Sequence, residues 1–204
     1  MKKIDLLYLI VVIFYLISGL IKWDMTTIFA CVLSLIFMVI TNVIGKKLGF
    51  GNGIKILIYV FILSTEILGE IYHFYVDVWW FDIVMHTYFA FIVSYVGLYL
   101  IRYFNIKGSI YFVILFIFSL AMMTESVWEI FEFSMDRVIG TDMQKDTVIR
   151  NISSTYLSHD IYVDKVMVND IDFMDRYGGY LDIGLYDTIG DMICTVVGSF
   201  IFIV

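Results

Sequence analysis

The chain has 204 residues, of which 61% are hydrophobic and 18% aromatic, and its mean hydropathy is +0.92. An apolar fraction this high excludes an ordinary soluble domain. The formal net charge of -7 argues against nucleic acid as a partner, and the absence of proline suits long, uninterrupted helices. The composition therefore predicts an integral membrane protein.

Six apolar stretches are long enough to cross a bilayer as helices. The first is interpreted as a retained span, because its apolar run is too long for a signal peptide and no small-residue cleavage site follows it. We predict an all-α fold, a six-helix bundle that forms a single transmembrane domain. The predicted spans cover about residues 6–22, 26–44, 56–75, 83–101, 109–131 and 185–204.

The lysines and arginines of the short loops predict the orientation. Seven of them fall on one side of the membrane, against only Lys22 on the other. This bias places both termini in the cytoplasm and residues 134–184 outside a bacterial inner membrane. The seven residues are Lys2, Lys3, Lys46, Lys47, Lys55, Arg102 and Lys107.

The outer segment of about 50 residues, 134–184, is rich in aspartate, and it is the only sizeable part outside the predicted spans. Its stretch "TVIRNISSTYLSHDIYVDKVMVND" contains β-branched alternation, as in "IYVDKVMV", which is typical of a short hairpin. The stretch "YGGYLDIG" has the composition of a turn. A flexible loop is the alternative. The outer segment is interpreted as a lid or as a partner-binding element.

The stretch "TESVWEIFEFSMD" ends the fifth predicted span with an acidic stripe. Glu125, Glu129, Glu132 and Asp136 are spaced by four, three and four residues, so a helix places them on one face. A carboxylate in hydrocarbon is costly and marks a functional site when partners exist. A solvated helix end is the alternative for the last three of these residues.

Other spans also contain ionisable residues at helical spacing. Counting about 1.5 Å per residue from the cytoplasmic ends, five of the acidic and histidine residues lie about 20–25 Å up, near the outer surface of the hydrocarbon core. We therefore predict one outward-opening site, with Glu66 nearer the midplane as an extension of it. The residues at the common level are Glu70, His86, Glu125, Asp187 and Asp191.

Several carboxylates crowded at low dielectric need shared protons or a cation. Carboxylates with one imidazole favour a divalent metal ion such as Mg²⁺, Mn²⁺ or Ca²⁺, or Zn²⁺. We assign Asp82, His86 and Glu129 as catalytic residues, with Asp82 orienting His86 as a general base or further ligand. The predicted metal ligands are Glu70, His86, Glu125, Asp187 and Asp191.

Four motifs together resemble the YjdF-like family of uncharacterised bacterial multi-pass inner-membrane proteins. They are "WFDIVMHTYFAF", "ESVWEIFEF", "IGTDMQKD" and "LYDTIGDMICTVVG", within about residues 66–200, and the layout is more loosely similar to VanZ-like proteins. Here about 40 residues separate the third motif from the fourth, and Lys145 stands where the family has glycine. The resemblance implies as polar positions His86, Glu125, Glu129, Gln144, Asp146, Asp187 and Asp191.

These features leave three functions open. The first is a metal-dependent hydrolase or transferase that acts on envelope lipids. The second is a transporter of protons or cations, against which the lack of proline or glycine breaks counts. The third is a non-catalytic membrane factor whose outer segment binds an envelope protein. VanZ-like proteins are connected with glycopeptide resistance, which fits the first or the third.

Overall fold

The computed structural model describes residues 3–140, 143–154, 158–182 and 184–203. Lys2, used above for orientation, and Val204, the last residue of the sixth predicted span, lie outside these ranges. The described chain is predominantly helical, which confirms the predicted all-α class. Its α-helices are α1 Lys3–Lys22, α2 Met25–Leu48, α3 Asn52–Leu63, α4 Phe74–Asp77, α5 Phe81–Tyr103, α6 Ile110–Val138, α7 Phe173–Tyr177 and α8 Leu185–Ile203.

Five of these helices are long and apolar enough to cross a membrane: α1, α2, α5, α6 and α8. They coincide with five of the six predicted spans, because an apolar run of this length is readable from hydropathy alone. Local signals set the ends of α2. Asp24 caps its start by accepting the backbone N–H of Thr27, and Gly49 ends it in the left-handed conformation with φ 76°.

The third predicted span, 56–75, is not one regular α-helix. The α-helix α3 ends at Leu63 and continues directly into a π-helix, Ser64–Ile71. The hydroxyl of Thr65 donates to the carbonyl oxygens of Phe61 and Ile62, at 3.3 and 3.1 Å, and such bonding competes with the regular α-helical pattern. Hydropathy cannot detect this change, because it depends on backbone hydrogen bonds.

The chain divides into two compact units, which are described separately. Unit 1 consists of Met1–Glu125 and Ile193–Val204, and unit 2 of Ser126–Met192. In unit 1, Tyr8 and Val12 of α1 form an apolar core with Cys31 of α2 and Tyr59 of α3. The rings of Tyr8 and Tyr59 have their centroids 4.4 Å apart.

A buried polar network joins the same three helices of unit 1. Lys55 of α3 donates from Nζ to Asp5 Oδ1 of α1, at 3.2 Å, and also to Asn42 of α2. The hydroxyl of Tyr59 donates to Asp5 Oδ1 at 2.9 Å and accepts from Asn42 Nδ2 at 2.8 Å. Lys55 was read above only as a loop charge that fixes orientation. The structure shows that it is buried and paired with Asp5.

Unit 2 contains three short antiparallel strand pairs, all within the predicted outer segment. The stretch 147–170, in which the sequence predicts a short hairpin, contains the antiparallel pair of Asn151–Ser154 with Ser158–Tyr162. Within "IYVDKVMV", Ile161 and Tyr162 end one strand, whereas Met167 and Val168 form another. The two halves of that stretch pair with different partners. The pairs are β1 Val148–Ile149 with β6 Tyr180–Leu181, β2 Asn151–Ser154 with β3 Ser158–Tyr162, and β4 Met167–Val168 with β5 Ile171–Asp172.

Candidate functional site

The shortest polar contact of unit 1's α5 and α6 joins a histidine to a carboxylate. Nδ1 of His86, on α5, lies 2.7 Å from Oε1 of Glu125, on α6. The side chain of His86 is 11% exposed and that of Glu125 is completely buried. A carboxylate oxygen accepts hydrogen bonds, so the contact favours the tautomer in which Nδ1 carries the proton. The other nitrogen, Nε2, is then left with a lone pair.

Asp82 lies one helical turn before His86, at the start of α5. Its Oδ1 is 3.5 Å from Nε2 of His86, which is longer than an ordinary hydrogen bond. The first turn of a helix favours an acidic side chain, because the backbone N–H groups there carry partial positive charge. His86 therefore lies between two carboxylates, with Glu125 at one ring nitrogen and Asp82 at the other.

The second oxygen of Glu125 distinguishes this carboxylate from a merely structural one. Oε2 is buried and has no hydrogen-bond partner among the residues that the structure describes. Buried carboxylate oxygens nearly always accept a hydrogen bond, because a buried oxygen without one costs free energy. An arrangement with two carboxylates, one imidazole and a free acceptor has room for a proton or a cation.

The distances at His86 fit a divalent metal ion. With metal–nitrogen and metal–oxygen bonds of about 2.1 Å, two ligands of a tetrahedral ion lie about 3.4 Å apart. The separation of 3.5 Å between Nε2 of His86 and Oδ1 of Asp82 matches that value. A ligating histidine usually donates its other N–H to a carboxylate, which is what Glu125 accepts. Nε2 of His86 and Oδ1 of Asp82 could therefore hold an ion, with Glu125 as the carboxylate that supports the histidine.

The two glutamates of the third predicted span lie on the π-helix. Glu66 is half-buried, whereas Glu70, a predicted metal ligand, is exposed. His73, one turn beyond, is exposed as well and has a left-handed backbone with φ 58°. The structure therefore places Glu70 at the protein surface, and its assignment as a ligand stays a prediction.

In unit 2, the side chain of Gln144 connects two helices. Its Nε2 donates to Oε2 of Glu129, at 3.3 Å, and to Oγ1 of Thr188, at 2.7 Å. Gln144 and Glu129 are both buried. Gly184 lies against Gln144 with φ 93°, and a Cβ at that position would be 2.7 Å from Cβ of Gln144. A side chain at 184 would therefore displace the glutamine.

Two aspartates of unit 2 hold the "MQKD" turn through its backbone. Asp136 accepts the N–H groups of Met143 and Gln144, at 2.7 and 2.9 Å, so it is not simply a solvated helix end. Asp187, a predicted metal ligand, accepts the N–H of Lys145 through Oδ2 at 2.8 Å. Its other oxygen is not engaged by that bond. These contacts give both carboxylates a structural role.

The remaining acidic residues of unit 2 differ in burial. Asp191 and Glu132 are buried, and Oε1 of Glu132 accepts from the indole N–H of Trp128 at 2.7 Å. Asp146 is exposed. Asp182 accepts the N–H groups of Leu185 and Tyr186 and so caps α8. An aspartate three residues before an apolar run is a helix-cap signal. The sequence analysis did not assign this role to Asp182.

The structure thus groups the predicted residues within each unit. Unit 1 brings together Asp82, His86 and Glu125, and unit 2 brings together Glu129, Gln144 and Thr188. Thr188 is not among the residues that the sequence analysis selected. The prediction that all the acidic residues form a single site stays a prediction.

The comparisons with known proteins concern the whole chain. A family model described as "Predicted membrane protein (DUF2238)" matches residues 4–204. No curated protein and no solved structure matches the chain. A membrane-protein family matched over this length agrees with the five apolar helices. The chain belongs to the DUF2238 family of membrane proteins.

Proposed function

We propose that this membrane protein binds a divalent metal ion through Nε2 of His86 and a carboxylate oxygen of Asp82. Glu125 accepts the Nδ1–H of the same imidazole and so fixes its tautomer and orientation. The observation that carries the proposal is the position of His86 between two carboxylates, one at hydrogen-bond distance and the other at 3.5 Å. Glu70, Asp187 and Asp191 stay predicted ligands from the sequence.

The chemistry that fits this donor set is metal-assisted attack on a membrane lipid. A bound divalent ion polarises a phosphate or ester oxygen and makes a bound water more acidic. Two anionic side chains near one ion suit oxygen-preferring Mg²⁺ or Mn²⁺, while the imidazole also admits Zn²⁺. We propose a hydrolase or transferase of envelope lipids. Glu129 stays a catalytic residue predicted from the sequence alone.

The proposed membrane arrangement follows the sequence prediction. Residues 52–71 are helical without a gap. We propose that α3 and its π-helical continuation together cross the membrane as the third span, which brings the number of crossings to six. With six crossings, both termini share a side, which the lysine and arginine bias assigns to the cytoplasm of a bacterial inner membrane. Residues 134–184 then lie outside, where an envelope protein is a further predicted partner.

The test is the metal content of the protein, purified in mild detergent and measured by mass spectrometry of the metals. We expect about one divalent ion per chain, and its loss in His86→Ala and in Asp82→Asn. The matched control is His73→Asn, because His73 is exposed and asparagine tolerates its left-handed backbone. Metal-free, well-folded wild-type protein that takes up no added ion would overturn the proposal.

A second candidate is supported by the π-helix. Such segments occur frequently at functional sites, and this one carries Glu66 and Glu70 within a predicted span. Transporters often have an interrupted membrane helix, and the sequence shows no proline or glycine break of that kind. The π-helix is an interruption of a different type. A proton or cation transporter predicts that Glu66→Gln abolishes ion uptake into proteoliposomes, whereas the enzyme predicts no such uptake in the wild type.

A further inference from the structure

An apolar groove runs along the surface of unit 1 between α5 and α8. Its volume is about 290 Å³. The side chains that line it are apolar apart from two hydroxyls, and Ile83, Val84 and Ile201 are 46, 42 and 59% exposed. The lining residues include Ile83, Val84, Thr87 and Phe91 of α5 and Gly198 and Ile201 of α8.

Gly198 creates the floor of this groove. A Cβ at that position would lie 2.2 Å from the carbonyl oxygen of Thr87 and 3.0 Å from Cβ of Ala90. Only a residue without a side chain lets α8 approach α5 so closely, and the larger side chains on either side then form the walls. Phe91 is held in place by an edge-to-face contact with Phe202, whose ring centroid is 5.2 Å away.

The groove offers little to a polar ligand. Tyr88 also lines it, but its hydroxyl donates to the carbonyl oxygen of Leu57 at 2.9 Å and is thereby satisfied within the protein. Both α5 and α8 are membrane-crossing helices, so the groove opens onto hydrocarbon rather than water. The occupant that matches an elongated apolar channel in this environment is a lipid acyl chain.

The groove also begins beside the proposed metal ligands. Ile83 directly follows Asp82 and Thr87 directly follows His86, so the groove flanks the helix face that carries the two ligands. From Ile83 to Phe91 it extends about 12 Å along α5. An acyl chain lying in it runs into the membrane from the level of Ile83, which leaves its headgroup beside Asp82, one helical turn from His86.

We propose that this groove binds one acyl chain of a membrane phospholipid and so presents the headgroup to His86 and Asp82. The inference rests on the proposed function for the role of the headgroup, and on the groove itself for the binding of the chain. It names the substrate class as a lipid anchored by its acyl chain, rather than a soluble phosphate or ester.

The test is photo-crosslinking in vesicles of phosphatidylethanolamine and phosphatidylglycerol, with a phosphatidylethanolamine probe that carries a diazirine midway along one chain. Peptide mass spectrometry should find adducts concentrated on the lining residues of α5 and α8. Ile201→Trp fills the groove and should lower these adducts at least fivefold. Phe200→Trp is the control on α8, since Phe200 is 53% exposed, does not line the groove and lies about 100° around the helix from Ile201.

Adducts spread evenly over the exposed apolar faces of α1, α2 and α5, or unchanged in Ile201→Trp, would overturn the inference. The bound metal is measured in the same samples, which separates the two proposals. Groove adducts in a protein that binds no metal would support the acyl-chain site and overturn the metal site. Stoichiometric metal without groove adducts would do the reverse.

Discussion

Two buried polar clusters in the described part of unit 1 can be compared. One joins the helices α1, α2 and α3, and the other joins α5 and α6. In the cluster of α1, α2 and α3, the charge of Lys55 is opposed by Asp5, and Asn42 and Tyr59 complete the hydrogen bonds around them. In the cluster of α5 and α6, His86 faces the two carboxylates Asp82 and Glu125.

The two clusters differ in charge balance and in satisfaction. The Asp5–Lys55 cluster has one positive and one negative group, and the tyrosine and asparagine supply the remaining donors and acceptors. The His86 cluster has two acidic groups for one imidazole, and Oε2 of Glu125 lacks a hydrogen-bond partner among the described residues. A closed, neutral network is expected to stabilise the fold, whereas an acidic, open one is expected to bind something.

The largest expected effect is the loss of one partner of the closed cluster. Lys55→Met leaves Asp5 buried without its countercharge, and breaking a buried pair in this way costs about 3–5 kcal/mol. We expect a correspondingly lower free energy of unfolding, measured by denaturant titration in detergent micelles. The double variant Asp5→Leu/Lys55→Met should recover most of the loss, because it removes both charges. A single variant as stable as the wild type would contradict the assigned role.

The next effect concerns the open cluster, where a substitution should lower metal affinity but not stability. Glu125→Gln keeps the shape of the side chain but weakens the acceptor for His86, so metal affinity should fall about 10–100-fold. Stability should not fall, because a buried charge is removed at a functional site. Metal titration and thermal unfolding of the same sample measure both. A destabilised variant with unchanged metal affinity would show that the His86 cluster, like the Asp5–Lys55 cluster, serves to stabilise the fold.

A smaller effect is expected from a single hydroxyl of the closed cluster. Tyr59→Phe removes the donor to Asp5 and the acceptor for Asn42, which should cost about 1–3 kcal/mol. Unfolding in the same detergent measures it. Tyr99→Phe is the control, because it keeps the ring contact with Phe50. Equal losses in both variants would show that the hydrogen bonds to Asp5 and Asn42 add nothing beyond the removal of a tyrosine hydroxyl.

The smallest effect is expected at an exposed carboxylate outside the spans. Hydrogen bonds from the side chain and backbone of Thr27 hold the pKa of Asp24 below its usual 3.8. Its contribution to stability is therefore present above about pH 4 and is lost as the pH falls through the lowered pKa. Asp24→Asn should remove a small part of the acid dependence of the melting temperature. An unchanged acid dependence would mean that this cap adds no pH sensitivity.

Sequence reasoning succeeded where the signal is local. Long apolar runs predicted α1, α2, α5, α6 and α8, because each helix satisfies its own backbone inside the membrane. The three-and-four spacing predicted that Glu125 and Glu129 would share one helix, which α6 confirms. His86 and Asp82 were selected because ionisable residues in hydrocarbon are costly.

Other features depended on partners far apart in sequence. The π-helix over Ser64–Ile71 has the hydropathy of an ordinary span, and the hydrogen bonds of Thr65 were not readable from composition. Lys55 was read as a loop charge, since its partner Asp5 is 50 residues away. The bonds of Gln144 to Glu129 and Thr188 likewise join separate segments.

The sequence by itself determined the membrane class, the five helices that are long and apolar enough to cross a membrane, and the acidic and histidine residues that merit attention. Hydropathy and helical period are properties of contiguous residues. The tertiary structure decided which of them meet. It placed Glu125 rather than Asp82 at hydrogen-bond distance from His86, left Glu70 exposed and brought Gly198 against Thr87. Such pairings are fixed by helix packing, which no local pattern encodes.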